Sequence, residues 1–161
     1  MPARLLLVVL AFPLALSGCS WITRFAVTNG SDAPVKLTIS AEASQTGGTQ
    51  GNHCPLGKRA ALEVTTTQLN RWGEIAWRKL PEERYMLDLQ HCVVEIEIFP
   101  EESVSVAGEL TYVGHRREFG TPGGISSLSI KSKDGEISSK GWEITKRFER
   151  LSDTLYVYAF R

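Results

Sequence analysis

Hydrophobic and polar residues alternate along much of the chain, which is the pattern of β-strands with one buried face. The alternating hydrophobic positions are Phe25 and Val27; Val35, Leu37 and Ile39; Leu62 and Val64; Cys92, Val94, Ile96 and Ile98; Val104, Val106, Leu110 and Tyr112; and Leu128 and Ile130. Turn-forming residues separate several of these stretches, among them residues 29–32 and the Asp134-Gly135 pair, which is typical of a β-hairpin. Short antiparallel strands joined by turns predict a mainly β protein, built as a sandwich or a barrel.

One stretch changes phase in the middle. Leu87 and Leu89 occupy odd positions, whereas Cys92 and Val94 occupy even ones. A continuous strand cannot bury both sets on one face, so we expect a bulge or a bend at residues 90–91.

The C-terminal part of the chain contains the one predicted helix. Ile144, Phe148 and Leu151 are spaced as on one face of a helix, which predicts a helix of about two turns near residues 141–151. A strand also fits part of this segment. Residues 155–160 (LYVYAF) are apolar at every position, which predicts a strand covered on both faces.

The N-terminus has a different composition. Arg4 is followed by a dozen residues without a charged or polar side chain, interrupted by Pro13. A helix of that length is about 18 Å long and cannot cross a bilayer core of about 30 Å. A basic start, a short apolar core and small residues after it predict a secretory signal peptide over residues 1–18. Residues 19–161 are then expected to form a single domain.

The residues at the predicted cleavage site are more specific. Leu16-Ser17-Gly18-Cys19 resembles the lipobox of bacterial lipoproteins. The resemblance implies that Cys19 receives a diacylglyceryl group, that the chain is cut before it, and that its new amine is acylated, for example with palmitate. Two or more acyl chains hold a protein stably on a membrane. Ser20, where the family carries Asp for inner-membrane retention, implies an outer-membrane lipoprotein facing the periplasm of a Gram-negative host. An ordinary signal peptide with a chance cysteine is the alternative.

Two further cysteines, Cys54 and Cys92, remain in the predicted mature chain. An exported protein folds in an oxidising compartment, where such a pair usually forms a disulfide. Each cysteine follows a histidine, so a Cys2His2 zinc site is an alternative. Because neighbouring strand residues point to opposite faces, His91 and Cys92 are poorly placed to bind one ion. We therefore expect a disulfide, and neither a metal site nor a cofactor.

A short motif favours the sandwich over the barrel. Residues 79–89 (KLPEERYMLDL) resemble the turn that leads into a strand in immunoglobulin-like, fibronectin-like and transthyretin-like domains. The resemblance implies an immunoglobulin-like antiparallel β-sandwich in which the Tyr85 hydroxyl bonds back to the turn. Cys92 lies seven residues after Tyr85, whereas antibody domains place the cysteine two residues after it.

The charge balance and the absence of known catalytic motifs argue against two classes of function, nucleic-acid binding and catalysis. Lys and Arg number 18, as do Asp and Glu, and the predicted leader contains one of these residues, Arg4. The mature chain would carry a formal charge of −1, so we do not expect a nucleic-acid partner. The sequence lacks the nucleophile elbow, P-loop, Rossmann, HExxH and EF-hand patterns, and we do not expect an enzyme. The pairs Glu82-Glu83 and Glu101-Glu102 are expected to be solvated turn charges.

Four residues are candidates for contact with a partner. Trp72 beside Arg71 has a composition common at interface hot spots, and Arg116 and Arg117 belong to a loop predicted over residues 115–124. A half-buried Trp72 at the edge of the sandwich is the alternative.

The leading hypothesis is a non-enzymatic, membrane-tethered envelope lipoprotein that binds another protein during envelope assembly. A periplasmic ligand or lipid carrier and an inhibitor of a hydrolase are the alternatives.

Overall fold

The computed structural model describes residues 20–42, Cys54, Leu56, 62–69, 75–112 and 124–161, with the backbone alone for Ser20, Trp21 and residues 109–112. The strands are β1 (Ser20–Asn29), β2 (Val35–Ala41), β3 (Glu63–Thr65), β4 (Arg78–Lys79), β5 (Tyr85–Asp88), β6 (Val93–Ile98), β7 (Ser103–Tyr112), β8 (Ile125–Ser132), β9 (Gly135–Lys140), β10 (Glu149–Ser152) and β11 (Leu155–Phe160). A 3-10 helix spans Glu82–Arg84, and one α-helix, α1, spans Trp142–Arg147.

The strands form two sheets that pack as a sandwich, as the sequence predicts. One sheet has six strands in the order β10-β11-β1-β7-β3-β4, and the other has five in the order β5-β6-β2-β8-β9. The pairings between described strands are antiparallel except that of β1 with β11, which is parallel. β11 lies between β10 and β1, which agrees with its apolar sequence, and β8 and β9 form the predicted hairpin.

The alternating hydrophobic side chains fill the space between the sheets. In β2 the residues Val35, Leu37 and Ile39 are buried, whereas the intervening positions are exposed or half-buried. An aromatic cluster continues this core, because the Phe25 ring stacks on Tyr156 at 5.2 Å between centroids. Close packing of such apolar side chains supplies most of the stabilisation of a domain of this size.

Cys54 and Cys92 lie at disulfide distance, as the sequence predicts. Their Cα atoms are 5.3 Å apart, and both residues are buried. Cys92 directly precedes β6, and its carbonyl accepts a hydrogen bond from the N–H of Ala41 at the end of β2. The disulfide therefore fastens the segment around Cys54 to one end of the five-stranded sheet.

The predicted bulge or bend at residues 90–91 is a complete reversal of the chain. β5 ends at Asp88, residues 89–92 form a turn, and β6 pairs antiparallel with β5. The Asp88 carboxylate stabilises the turn by accepting hydrogen bonds from the backbone N–H groups of Gln90 and His91, at 2.9 and 3.0 Å. Leu87 lies opposite Val94, so the two phases belong to two strands, and Leu87 is partly exposed because β5 is an edge strand.

The predicted helix is shorter than expected. Ile144 and Phe148 are buried, as the helical spacing requires, but α1 ends at Arg147. Phe148 adopts an extended backbone conformation and packs edge-on against Phe25, and the chain then enters β10. β10 pairs antiparallel with β11, which satisfies its backbone groups, so the second half of the segment is a strand.

Tyr85 begins β5 directly after the 3-10 helix, as the motif at residues 79–89 implies. Its ring is half-buried against the core. Its hydroxyl makes no hydrogen bond to residues 79–84, all of which the structure describes, so the implied bond to the turn is not formed.

Candidate functional site

Most of the predicted site residues lie outside the part of the chain that the structure describes. These are the lipidation residue Cys19 and the partner candidates Arg71, Trp72, Arg116 and Arg117. Trp77, which directly precedes β4, is half-buried, and the Arg24 guanidinium lies 5.3 Å from its ring centroid. Arg24 also forms an ion pair with Glu63 of β3, so the outer surface of the six-stranded sheet has an ordered polar arrangement.

The strand register defines two ends of the sandwich. β1 begins at Ser20, directly after Cys19, and Tyr112 at the end of β7 lies opposite Ser20. We call this the N-terminal end of the sandwich. In the other sheet it corresponds to the end of β2, the starts of β6 and β8, and the end of β9. The turns at residues 30–34, 99–102 and 133–134 lie at the opposite end, which we call the distal end.

An open groove of about 1130 Å³ lies over the six-stranded sheet and reaches the distal end. Thr28, Ser103 and Ala159 occupy one row across three adjacent strands at its base. Residues 66–69, which follow β3, line one side, and Lys146, Arg147 and residues 149–151, at the end of α1 and in β10, line the other. The register of β1 with its two neighbours therefore places two hydroxyl side chains and one alanine in a row at the base of the groove.

Polar and charged side chains dominate the groove. Thr28 and Ser103 share a hydrogen bond of 2.8 Å between their hydroxyls. The cations that line it are Lys146, Arg147, Arg150 and Arg161, and the acids are Glu101 and Glu149. Since cations outnumber acids, and hydroxyls supply both donors and acceptors, the surface is suited to a polar partner that carries acidic groups.

Two of these cations are already paired with acids beside the groove. Lys146 lies 3.0 Å from Glu143, and Arg150 forms an ion pair with Asp153. The Nε–H of Arg147 donates to the hydroxyl of Ser139 at 3.2 Å. Exposed pairs of this kind contribute little to stability, so a partner can replace them at low cost.

Asn29, which is fully buried, fixes the distal rim of the groove. Its side-chain amide donates to the carbonyls of Ala33 and Ile98 at 2.8 and 2.9 Å, and its side-chain oxygen accepts from the N–H of Ser31 at 3.0 Å. Its backbone carbonyl accepts from the N–H of Glu101 at 2.8 Å. The β1–β2 turn, β6 and β7 are thereby held together at one point, which keeps the rim in place.

The expectation that Glu102 is a solvated turn charge is wrong. Glu102 is 6% exposed, and its carboxylate accepts two hydrogen bonds from the Arg84 guanidinium, at 3.0 and 2.5 Å. It also accepts from the N–H of Phe99 at 3.1 Å, and Arg84 donates to the carbonyl of Glu97 at 2.7 Å. This ion pair joins the 3-10 helix to the turn between β6 and β7.

The surroundings of Glu102 alter its pKa. Burial alone opposes the charged carboxylate, but the hydrogen bonds from Arg84 and Phe99 and the charge of Arg84 outweigh it, so the pKa of Glu102 is held below its usual value. The sequence contained a signal for its burial, because Glu102 has the same parity as the inward-facing Val104 and Val106.

No helix among the described residues is long and apolar enough to span a bilayer. In the same part of the chain, no group of three or more His, Cys, Asp or Glu side chains is placed to hold a metal ion. No protein-family model matches this sequence, and neither a search of curated proteins nor a search of solved structures finds a match.

Proposed function

We propose that this protein is a non-enzymatic, lipid-anchored module of the bacterial cell envelope that binds a protein partner in the groove over its six-stranded sheet. The lipid anchor would be attached to Cys19 and hold the domain on the outer membrane, facing the periplasm. The bound surface of the partner would carry polar and acidic side chains.

The observation that supports this proposal best is the position of the groove. Its rim contains Gly30, Glu101 and Arg161 at the distal end, whereas Cys19 directly precedes the N-terminal end of β1. A β-strand of ten residues is about 33 Å long. An anchor at Cys19 would therefore leave the groove open to the periplasm, away from the membrane.

The lining of the groove favours a protein partner over an apolar ligand. Pockets for small apolar molecules are lined mainly by hydrophobic side chains. Here Val157 and Ala159 lie beside Thr28 and Ser103 at the base, and the sides carry Leu69 and Leu151 among a larger number of hydroxyl, amide and charged groups. The described interior between the sheets is occupied by large buried side chains such as Phe25, Leu37 and Ile130. Binding of an extended polar surface fits this arrangement better than lipid transport does.

The anchor is tested by replacing Cys19 with alanine. We expect the wild-type protein to incorporate labelled palmitate and to sediment with membranes. The Cys19→Ala variant should incorporate none and appear in the soluble fraction, with an unchanged thermal unfolding curve of the domain. Palmitate labelling of the Cys19→Ala variant, or a soluble wild-type protein, would contradict a lipid anchor at this residue.

The groove is tested by reversing two of its charges. We expect Arg150→Glu together with Arg161→Glu to lower the amount of partner captured by chemical crosslinking in cells by about tenfold, because like charges would then oppose each other. The matched control is Lys36→Glu with Lys131→Glu, which makes the same charge change on the other sheet. Equal losses in both double variants would rule out the groove as the binding surface.

A further inference from the structure

We propose that the N-terminal end of the sandwich rests directly on the lipid bilayer, with the side chains of Ile22, Leu89 and Trp142 as its contact points. This inference rests on the proposed anchor at Cys19. It adds the orientation of the domain and the residues that meet the membrane surface.

The chain leaves almost no length between the proposed anchor and the folded domain. β1 begins at Ser20, so the peptide bond after Cys19 leads straight into a strand of the six-stranded sheet. Three residues of fully extended chain span at most about 11 Å, so the Cα atom of Ile22 cannot lie farther than that from the Cα atom of Cys19. A domain held this closely cannot turn its N-terminal end away from the bilayer.

Three widely spaced parts of the fold meet the membrane together at that end. Ile22 belongs to β1 of one sheet, and Leu89 belongs to the turn that joins β5 and β6 of the other. Trp142 follows the end of β9, where Lys140 lies opposite Ser127 near the start of β8. β5 and β9 are the two edges of their sheet, four strand spacings or about 19 Å apart, and facing sheets lie about 10 Å apart. The three side chains therefore form a triangle broad enough to fix the tilt of the domain.

All three side chains are exposed although they are large and apolar. Ile22 is 58% exposed, Leu89 55% and Trp142 65%. Single exposed apolar side chains are common on protein surfaces, so what distinguishes these three is their position at the end of the domain that the proposed anchor would hold at the membrane. Tryptophan is also enriched at membrane interfaces, where its ring is half in the headgroup region. The Lys146 ammonium lies 3.2 Å from the Trp142 ring centroid and pairs with Glu143, so one face of the ring is covered by a cation that also lines the groove.

The distal end has the opposite character. Its turns carry exposed Asp32, Lys133, Asp134 and Glu101, and Lys133 pairs with Asp32 at 3.0 Å. Phe99 and Ile137 are exposed hydrophobic residues at or near that end, and the Arg84 guanidinium covers the Phe99 ring at 4.2 Å from the centroid. The two ends therefore differ in the way expected of a domain that meets lipid at one end and water at the other.

The test uses the full lipidated protein, reconstituted into vesicles of phosphatidylethanolamine and phosphatidylglycerol that contain a radiolabelled phospholipid. A photoreactive phenylalanine analogue, benzoylphenylalanine, replaces Leu89 or Trp142. In the matched control the analogue replaces Asp134. Asp134 directly precedes β9 and Trp142 follows its other end, so the two residues are about 20 Å apart. Gln90, exposed in the same turn as Leu89, is a second position if the Leu89 variant unfolds.

We expect labelled lipid to crosslink from positions 89 and 142 and only at background level from position 134. Equal yields at all three positions, or background yields at 89 and 142, in a protein that carries palmitate would overturn this orientation and leave the proposed anchor intact. A purified protein that carries no palmitate would overturn both the anchor and the orientation. The palmitate measurement thus separates the two proposals.

Discussion

The Arg84→Ala substitution is expected to lower the free energy of unfolding by about 3–5 kcal/mol, because it leaves the buried carboxylate of Glu102 without its counterion. The alanine also removes the cation stacked on Phe99 and the hydrogen bond to the carbonyl of Glu97. Urea unfolding at neutral pH measures the loss. A loss below about 1 kcal/mol, the value typical of exposed pairs, would contradict the buried ion pair.

The Arg84–Glu102 pair also predicts that the stability of the folded protein depends on pH. The pKa of Glu102 is lower in the folded chain than in the unfolded one, so its contribution to stability is present above the unfolded value. That contribution is lost as the pH falls through the lower, folded value. Glu102→Gln should therefore destabilise the protein at neutral pH and flatten the acid limb of its stability profile. An acid limb as steep as that of the wild type would contradict this assignment.

A double substitution supplies the control for the pair. Arg84→Met together with Glu102→Met removes both charges and fills the site with flexible apolar side chains. Replacing a whole buried pair by apolar residues is often neutral, so the double variant should be more stable than Arg84→Ala. If the double variant is the less stable of the two, the packing of Arg84, rather than its charge, accounts for the loss.

Removal of the Cys54–Cys92 disulfide is expected to cost about 4 kcal/mol of stability, the chain-entropy value for a loop closed by residues 38 apart. The reason is that the reduced unfolded chain samples many more conformations, whereas the folded sandwich changes little. Urea unfolding with and without a reductant measures the difference, in the Cys19→Ala background so that no third thiol interferes.

The control for the disulfide is the Cys54→Ala, Cys92→Ala double variant. Its unfolding curve should lie near that of the reduced protein and should not respond to reductant. If reduction leaves the curve of the disulfide-bearing protein unchanged, the two cysteines are not bonded in the purified protein, and the fold does not depend on the crosslink.

Local patterns predicted the sandwich well. In β2, Val35, Leu37 and Ile39 alternate with polar residues, and this alternation predicts a strand with one buried face. The two cysteines were also paired correctly, because the redox argument needs only their even number and the prediction that the chain is exported. The interior position of β11 in its sheet, between β10 and β1, also followed from its composition, because a strand of apolar residues is typical of the interior of a sheet.

Features that depend on long-range contacts could not be predicted in the same way. The phase change between Leu87 and Cys92 fits a bulge or a reversal equally well, and only the pairing of β5 with β6 distinguishes them. Phe148 leaves the helix because Phe25 and Tyr158, distant in sequence, provide its aromatic contacts. The groove combines residues of β1, β7, β10 and β11 with the segment after β3 and the end of α1, and no local sequence motif predicts such a combination.

The measurement that tests the proposed function most directly is site-specific photo-crosslinking in living cells. Benzoylphenylalanine is placed at Thr67, exposed in the wall of the groove, or at Ser138, exposed on the outer face of the other sheet. We predict one discrete crosslinked protein from position 67, absent from position 138 and lost when Cys19→Ala releases the domain from the membrane. The same product from both positions, or a product from position 67 that persists in the Cys19→Ala variant, would contradict an anchored module that binds its partner in the groove.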